Sequence, residues 1–149
     1  YEFLQKSKNP DFKKSQRDDL VNMQTGIMGY KGIINYGFTP CINDELAHLE
    51  GETDRATILQ SVCQIIDRHI HLNYRIYPCN YIAYDMLYKE NRFANEYSPE
   101  QKEDFEKYIQ GQIAKLGEFS IEDYQFMQEK MLLMYSNPLK NQLAAQGIA

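Results

Sequence analysis

Side chains that can act as nucleophiles or metal ligands recur along one predicted helix. Cys63, Asp67 and His71 follow one another at four-residue intervals, with His69 between the last two. This spacing places the three on one helix face, so a cysteine–histidine nucleophile or a metal site is conceivable. An Asp–His pair at that spacing is, however, an ordinary helix-surface interaction, and a cysteine beside an apolar face is usually a small hydrophobe. We therefore assign no catalytic residue, metal or cofactor here.

A second set consists of tyrosines. Five of the 12 tyrosines are spaced 3, 4, 3 and 4 residues apart, namely Tyr74, Tyr77, Tyr81, Tyr84 and Tyr88. If Pro78 kinks the helix without ending it, all five share one face. The pattern favours an internal packing seam, because aromatic stripes at helical spacing are mostly core. The alternative is a docking surface for a partner domain or a membrane interface, where tyrosine is favoured, and these five are the docking candidates.

Two further patterns have weaker chemical implications. Gly26, Gly29 and Gly32 precede a predicted strand, and their spacing is not that of a phosphate-binding fingerprint. They predict a tight turn between a helix and a strand. Met127 and Met134, with Met131 between them, form a flexible apolar stripe that favours filling of core space, with accommodation of acyl chains as the alternative.

Composition excludes several classes of protein. The 149 residues include 16 Lys plus Arg and 21 Asp plus Glu, a net charge of −5, which argues against nucleic-acid binding because phosphate contacts need clustered cations. Three widely spaced cysteines favour a reduced, intracellular chain. No apolar stretch approaches the roughly 20 residues that span a bilayer, so a cytoplasmic chain is expected. A first residue other than Met suggests a piece of a longer protein.

The elements that must position these residues are mainly helical. Capping and periodicity signals predict about six helices, beginning near Pro10, Asp54, Asn80, Ser98, Ser120 and Pro138. The first of these helices should end near Gln24, and residues 25–32 should form a loop. The helix after Asp54 has the widest apolar face and is the predicted central core helix. Pro78 should mark a kink or break, and Asn137-Pro138 should end the helix that starts at Ser120.

One short strand is predicted at Ile33–Phe38. β-branched and aromatic residues dominate this stretch, and Pro40 cannot continue a central ladder. Because one strand cannot form a sheet, its partners must lie in another chain or in residues outside this sequence. Pairing with its own copy would give a homodimer.

Several segments together resemble the C-terminal half of bacterial proteins of the lysophospholipid (glycerolphosphate) acyltransferase superfamily, of the 1-acyl-glycerol-3-phosphate acyltransferase type. They are Asn9–Leu20, Asn22–Ile27, Gly29–Gly32, Asn73–Pro78, Asn80–Tyr81, Ala83–Asp85 and Tyr135–Leu139. The resemblance implies that residues 1–43 are the C-terminal remnant of an α/β acyltransferase domain and that residues 44–149 are a helical C-terminal extension packed against it.

The resemblance also implies the chemistry of a parent protein. That protein would transfer an acyl group from acyl-CoA or acyl-carrier protein to a lysophospholipid or glycerolphosphate-type hydroxyl at the inner membrane face, with a histidine as general base. The family's motif is a His and an Asp separated by four residues, whereas His48, His69 and His71 are followed at that position by Thr53, Tyr74 and Ile76. This chain is therefore expected to be inactive alone. The alternative is an independent helical interaction module with no enzymatic parent.

Overall fold

A computed structural model describes residues 2–117 and 119–148, and the described chain is mainly helical, as predicted. These residues form seven α-helices and one 3₁₀ turn, without any strand. In chain order the elements are α1 (Glu2–Lys8), α2 (Gln16–Met28), α3 (Asn43–Leu46), the 3₁₀ turn (Ala47–Leu49), α4 (Arg55–Leu72), α5 (Pro78–Tyr88), α6 (Pro99–Ala114) and α7 (Ile121–Gln146).

The core lies between α5, α6 and α7, and the long helix α7 also contacts α1 and α4. Along α6 the buried side chains recur every fourth residue, as an amphipathic helix requires, at Phe105, Ile109 and Ile113. Helix α5 contributes Ile82 and Ala83, and α1 contributes Leu4. The apolar stripe of α7 completes this core with Met127, Leu132 and Leu139.

The predicted helix starts are confirmed where the capping chemistry is local. Ser98 Oγ accepts a hydrogen bond from Gln101 N at 3.2 Å, and Gln101 Oε1 accepts one from Ser98 N at 2.8 Å. Asp54 Oδ2 caps α4 by accepting from Thr57 N at 2.9 Å. Each cap satisfies backbone N–H groups that have no partner within the helix.

The predicted N-terminal boundaries are wrong. A short helix, α1, precedes Pro10 and was not expected, and the next helix begins after Ser15 because Ser15 and Asp18 form a capping box. That helix continues to Met28, with Gly29 N donating to Thr25 O at 3.0 Å. The loop expected over residues 25–32 is therefore helical in its first half, since one glycine in a helix costs only about 1 kcal/mol.

The strand predicted at Ile33–Phe38 is not observed. Residues 30–42 are neither helical nor paired in a ladder, and the described residues offer no second strand to pair with them. Large apolar side chains of this stretch are exposed, with Ile33 at 71%, Tyr36 at 80% and Phe38 at 90%. We call residues 30–42 the extended segment.

Helix α4 exists as predicted, but its role as the central core helix is wrong. None of its residues is fully buried, and Leu59 and Ile66 are 64% and 42% exposed. Helix α4 contacts α7 but contributes no residue to the buried cluster, which α5, α6 and α7 form together with Leu4, so α4 lies at the edge of the core. Part of its wide apolar face therefore has no covering layer within the described residues.

Pro78 and Pro138, the two prolines at which the sequence predicted an interruption of a helix, behave differently. Pro78 ends the preceding pattern, since residues 73–77 are not helical and Pro78 is the first residue of α5, where its missing N–H costs nothing. Pro138 does not break α7, contrary to prediction, and the helix runs on to Gln146. Burial of Leu139, which is 2% exposed, offsets the local cost of a proline.

Paired substitutions test which helix carries the core. We expect Ile109→Ala to lower the free energy of unfolding by about 2–5 kcal/mol, because this side chain is 0% exposed and truncation leaves a cavity. Ile66→Ala, at a 42% exposed position, should cost less than about 1 kcal/mol. Urea unfolding followed by circular dichroism measures both values. Equal losses in the free energy of unfolding would indicate that α4 is part of the core, contrary to the structure.

Candidate functional site

The break before α5 divides the five candidate tyrosines into two groups. Tyr74 and Tyr77 lie in the non-helical link 73–77, whereas Tyr81, Tyr84 and Tyr88 lie on α5. The single shared face required a continuous helix, and that condition is not met because Tyr77 is extended, with φ −115° and ψ 161°.

The tyrosines of α5 belong to an aromatic cluster with Phe93. The ring centroids of Tyr84 and Tyr88 are 4.5 Å apart, and Phe93 lies 5.2 Å from Tyr81 and 5.3 Å from Tyr84. The Arg92 guanidinium stands 5.2 Å from the centroid of Phe93. These contacts pack the link after α5 onto the helix, so Tyr81 and Tyr84 have an internal role as well as an exposed edge.

Two buried polar side chains of α5 fix its surroundings. Asp85, 4% exposed, accepts hydrogen bonds from the Tyr97 hydroxyl at 2.9 Å and from Phe93 N at 3.1 Å. Asn80 accepts from Tyr77 N and donates through Nδ2 to Tyr135 O, both at 2.8 Å. Because these groups already have internal partners, their arrangement is structural. The sequence signal that points to Asp85 is a lone carboxylate within the apolar run 81–87.

Titratable side chains beside this network have altered acidity. Burial raises the pKa of Tyr135 far above its usual range, and the hydrogen bond between its hydroxyl and that of Tyr108, at 2.8 Å, adds to the effect. Burial also raises the pKa of the Cys79 thiol. A thiol in this environment stays protonated at neutral pH and is a poor nucleophile.

The cysteine–histidine set on α4 is not brought together as a site. Cys63 is exposed, His69 Nε2 lies 2.6 Å from Glu45 Oε2, and the ring of His71 lies 5.6 Å from that of Tyr74. Within residues 2–117 and 119–148, no group of three His, Cys, Asp or Glu side chains is placed to hold a metal ion. The two histidines instead link α4 to its neighbours.

The extended segment lies across the link that contains Tyr74 and Tyr77. A cavity of about 380 Å³ separates them, lined by Ile33 and Gly37 on one side and by Ile70 and both tyrosines on the other. A Cβ on Gly37 would stand 3.3 Å from Asn73 Cβ, so a small residue permits this approach. This contact, between residues far apart in sequence, brings two of the docking candidates next to the exposed apolar segment.

Comparisons with known proteins identify no relative. No protein-family model matches the chain, and searches of curated proteins and of solved structures return no match. Within the part of the chain that the structure describes, no helix is long and apolar enough to cross a membrane. A functional proposal for this chain therefore depends on its exposed surfaces and on the resemblance of its sequence segments to the lysophospholipid acyltransferase superfamily.

The raised tyrosine pKa values predict alkaline destabilisation. Burial raises the pKa of Tyr97 and Tyr135, whereas an unfolded tyrosine ionises near pH 10. Their contribution to stability is complete below about pH 10 and is lost as pH rises toward the folded-state pKa, because only the unfolded state releases the protons.

Urea unfolding between about pH 8 and pH 11 measures this dependence. The variant Tyr135→Phe should show a shallower fall in stability with pH, whatever its stability at neutral pH. Met134→Leu on the same helix changes no titratable group; it is the control and should keep the parental slope. An unchanged slope in Tyr135→Phe would contradict the assignment.

Proposed function

We propose that this chain is a helical docking region that completes an α/β acyltransferase domain and has no acyl-transfer activity of its own. The observation that carries the proposal is the extended segment, residues 30–42, in which residues 30–41 are exposed, rich in apolar side chains and without backbone–backbone hydrogen bonds. The resemblance to the lysophospholipid acyltransferase superfamily supplies the class of partner, namely the chain's own N-terminal acyltransferase domain.

The side chains of the extended segment suit a strand with one covered face. In an extended chain Ile34, Tyr36 and Phe38 lie on the same face, and they are 62%, 80% and 90% exposed. The opposite face carries Asn35 and Gly37. Alternation of large apolar residues with polar or small ones is typical of a strand that packs one face against a core. Burying each large side chain would contribute about 1.5–3 kcal/mol.

The backbone of this segment is equally available. None of the backbone–backbone hydrogen bonds among the described residues involves residues 30–41. Such a row of N–H and C=O groups can join the open edge of a sheet by strand addition. The segment thus offers backbone pairing and apolar burial to a partner that has an unpaired strand edge.

Helix α4 extends the same surface. Ile70, 45% exposed, lines the cavity beside Ile33, and Leu59 and Ile66 continue the exposed apolar face along the helix. Contiguous exposed apolar surface is a mark of protein interaction sites. We propose that α4 covers the sheet to which the segment adds, with Tyr74 and Tyr77 at the junction of the two surfaces.

The parent protein would carry the chemistry that this chain lacks. Residues 1–43 would be the remnant of its α/β domain and residues 44–149 the helical extension. The acyl donor, acyl-CoA or acyl-carrier protein, would bind through the parent, and the acceptor would be a lysophospholipid or glycerolphosphate-type hydroxyl. A cytoplasmic location, peripheral at the inner membrane face, follows from that role and is part of the proposal.

The same exposed surfaces support a second candidate, an independent interaction module. In that case the extended segment could pair with its copy in a second molecule, and the homodimer would form through Ile33–Phe38. The two candidates differ in what protects the segment: a preceding catalytic domain in the first, and another copy or an unrelated protein in the second.

Hydrogen exchange tests the docking proposal. In residues 1–149 alone, the amides of residues 30–41 should exchange as fast as unstructured peptide, because they lack partners. In the longer polypeptide, with the sequence that precedes Tyr1, they should become protected, and that sequence should contain a His and an Asp separated by four residues. The shorter chain should transfer no acyl group from acyl-CoA or acyl-carrier protein to a lysophospholipid.

Matched variants make the test specific. Ile34→Asp should abolish protection in the longer polypeptide but leave the thermal unfolding of residues 1–149 unchanged, since its side chain is 62% exposed. Ile121→Asp, at a 78% exposed position on α7, is the control and should preserve protection. Acyl transfer by residues 1–149 alone would contradict the proposal. A concentration-dependent dimer that Ile34→Asp dissociates would favour self-pairing instead.

A further inference from the structure

An apolar groove lies between α1, α6 and α7. None of the described residues in its lining belongs to the extended segment. Its volume is about 750 Å³, and its walls include Phe3 from α1, Ile113 from α6, and Phe126 and Met134 from α7. Sites for small organic ligands typically measure about 300–1,000 Å³ and are mostly apolar with few polar groups. The groove has the size and character of such a site.

The methionines of α7 give the groove an adaptable floor. All three members of the methionine stripe predicted from the sequence, Met127, Met131 and Met134, line the groove. Met127 is 6% exposed and is at the same time part of the hydrophobic core. Unbranched thioether side chains adjust to flexible apolar partners more easily than branched ones do. A long alkyl chain is a partner of this kind.

Among residues 2–117 and 119–148, Lys130 is the only charged side chain in the lining of this groove. Its ammonium stands 5.1 Å from the ring centroid of Phe126, which holds the charge beside the apolar wall. Lys130 Nζ also lies 3.1 Å from Glu129 Oε1, whose side chain is 58% exposed. An exposed pair of this type contributes little, so Lys130 retains the capacity to neutralise another anion.

A neighbouring cavity does not compete for an anionic group. It measures about 470 Å³ and shares Phe3 and Leu116 with the groove. Its cations Lys14 and Arg17 face the carboxylates of Glu2 and Asp18 in the same lining, and Lys14 Nζ lies 3.0 Å from Glu2 Oε1. The charges there balance, whereas the described residues that line the groove include one cation and no carboxylate.

We propose that this groove binds a single-chain fatty acid. The alkyl chain lies between Phe3, Met131 and Met134, and the carboxylate lies at the Lys130 ammonium. Apolar burial provides the affinity, and the single cation selects the sign of the head group. This inference rests on the groove alone and is independent of the docking role of the extended segment.

Isothermal titration calorimetry with dodecanoate below its micellar concentration tests the inference. Dodecanoate should bind saturably, with one molecule per chain. Dodecyltrimethylammonium, which has the same alkyl chain and the opposite charge, should bind at least about tenfold more weakly, because it places a cation beside Lys130. Lys130→Gln should remove this preference, and Lys140→Gln, which alters a lysine of α7 outside the groove lining, should retain it.

A second pair of variants tests the apolar wall. Met134 is 57% exposed and Leu20 is 67% exposed, so neither Met134→Gln nor Leu20→Gln should disturb folding, as circular dichroism would verify. Met134→Gln should weaken dodecanoate binding several-fold, and Leu20→Gln should not. Absence of saturable binding, equal affinity for both head groups, or a dimer that Met134→Gln dissociates would overturn the proposal.

Discussion

The packing of α5 against α7 is the interaction on which the rest of the structure depends. Ala83 and Ser136 are both 0% exposed, and small residues at these positions allow the two helices to approach closely. The approach buries Asn80 and Asp85 as well, so each needs partners. Asn80 obtains one from the backbone of α7, and Asp85 obtains its partners from the link that follows α5. The apolar contacts between the two helices and the hydrogen bonds of the buried polar side chains therefore favour the same placement of α5 on α7.

This arrangement determines which surfaces remain uncovered. The buried cluster is formed by α5, α6 and α7 with Leu4, whereas α4, α2 and the extended segment contribute no buried residue. A chain that leaves Leu20, Ile34 and Leu59 in water gives up stabilisation that a covering layer would provide. These exposed apolar side chains favour the proposed docking role, whichever partner supplies the covering layer.

The sequence predicted what depends on local chemistry. Asp54, Ser98 and Ser120 start helices because a side-chain oxygen reaches an N–H two or three residues away, which needs no knowledge of the fold. The failures involve competition between distant elements. Whether α4 or α5 becomes central depends on which one packs more extensively on α7, and whether Pro138 ends a helix depends on the burial of Leu139. The five tyrosines do not share one helix face, because a common face required a continuous helix through Pro78 and α5 begins at that residue.

Helix α1 lies between the groove and the part of the chain that leads into the extended segment. It is held on the core by Leu4, which is 3% exposed, and by an ion pair between Lys8 and Asp123 of α7. Phe3 on the same helix forms one wall of the groove, so the proposed ligand would stabilise the packing of α1 on the core by mass action. A short turn joins α1 to α2, which leads directly into the extended segment, and Asn22 Nδ2 donates to Glu2 Oε1 at 3.0 Å. If both proposals hold, occupancy of the groove would favour one placement of the chain that precedes the segment, and by reciprocity a partner that fixes the segment in that placement would strengthen binding in the groove.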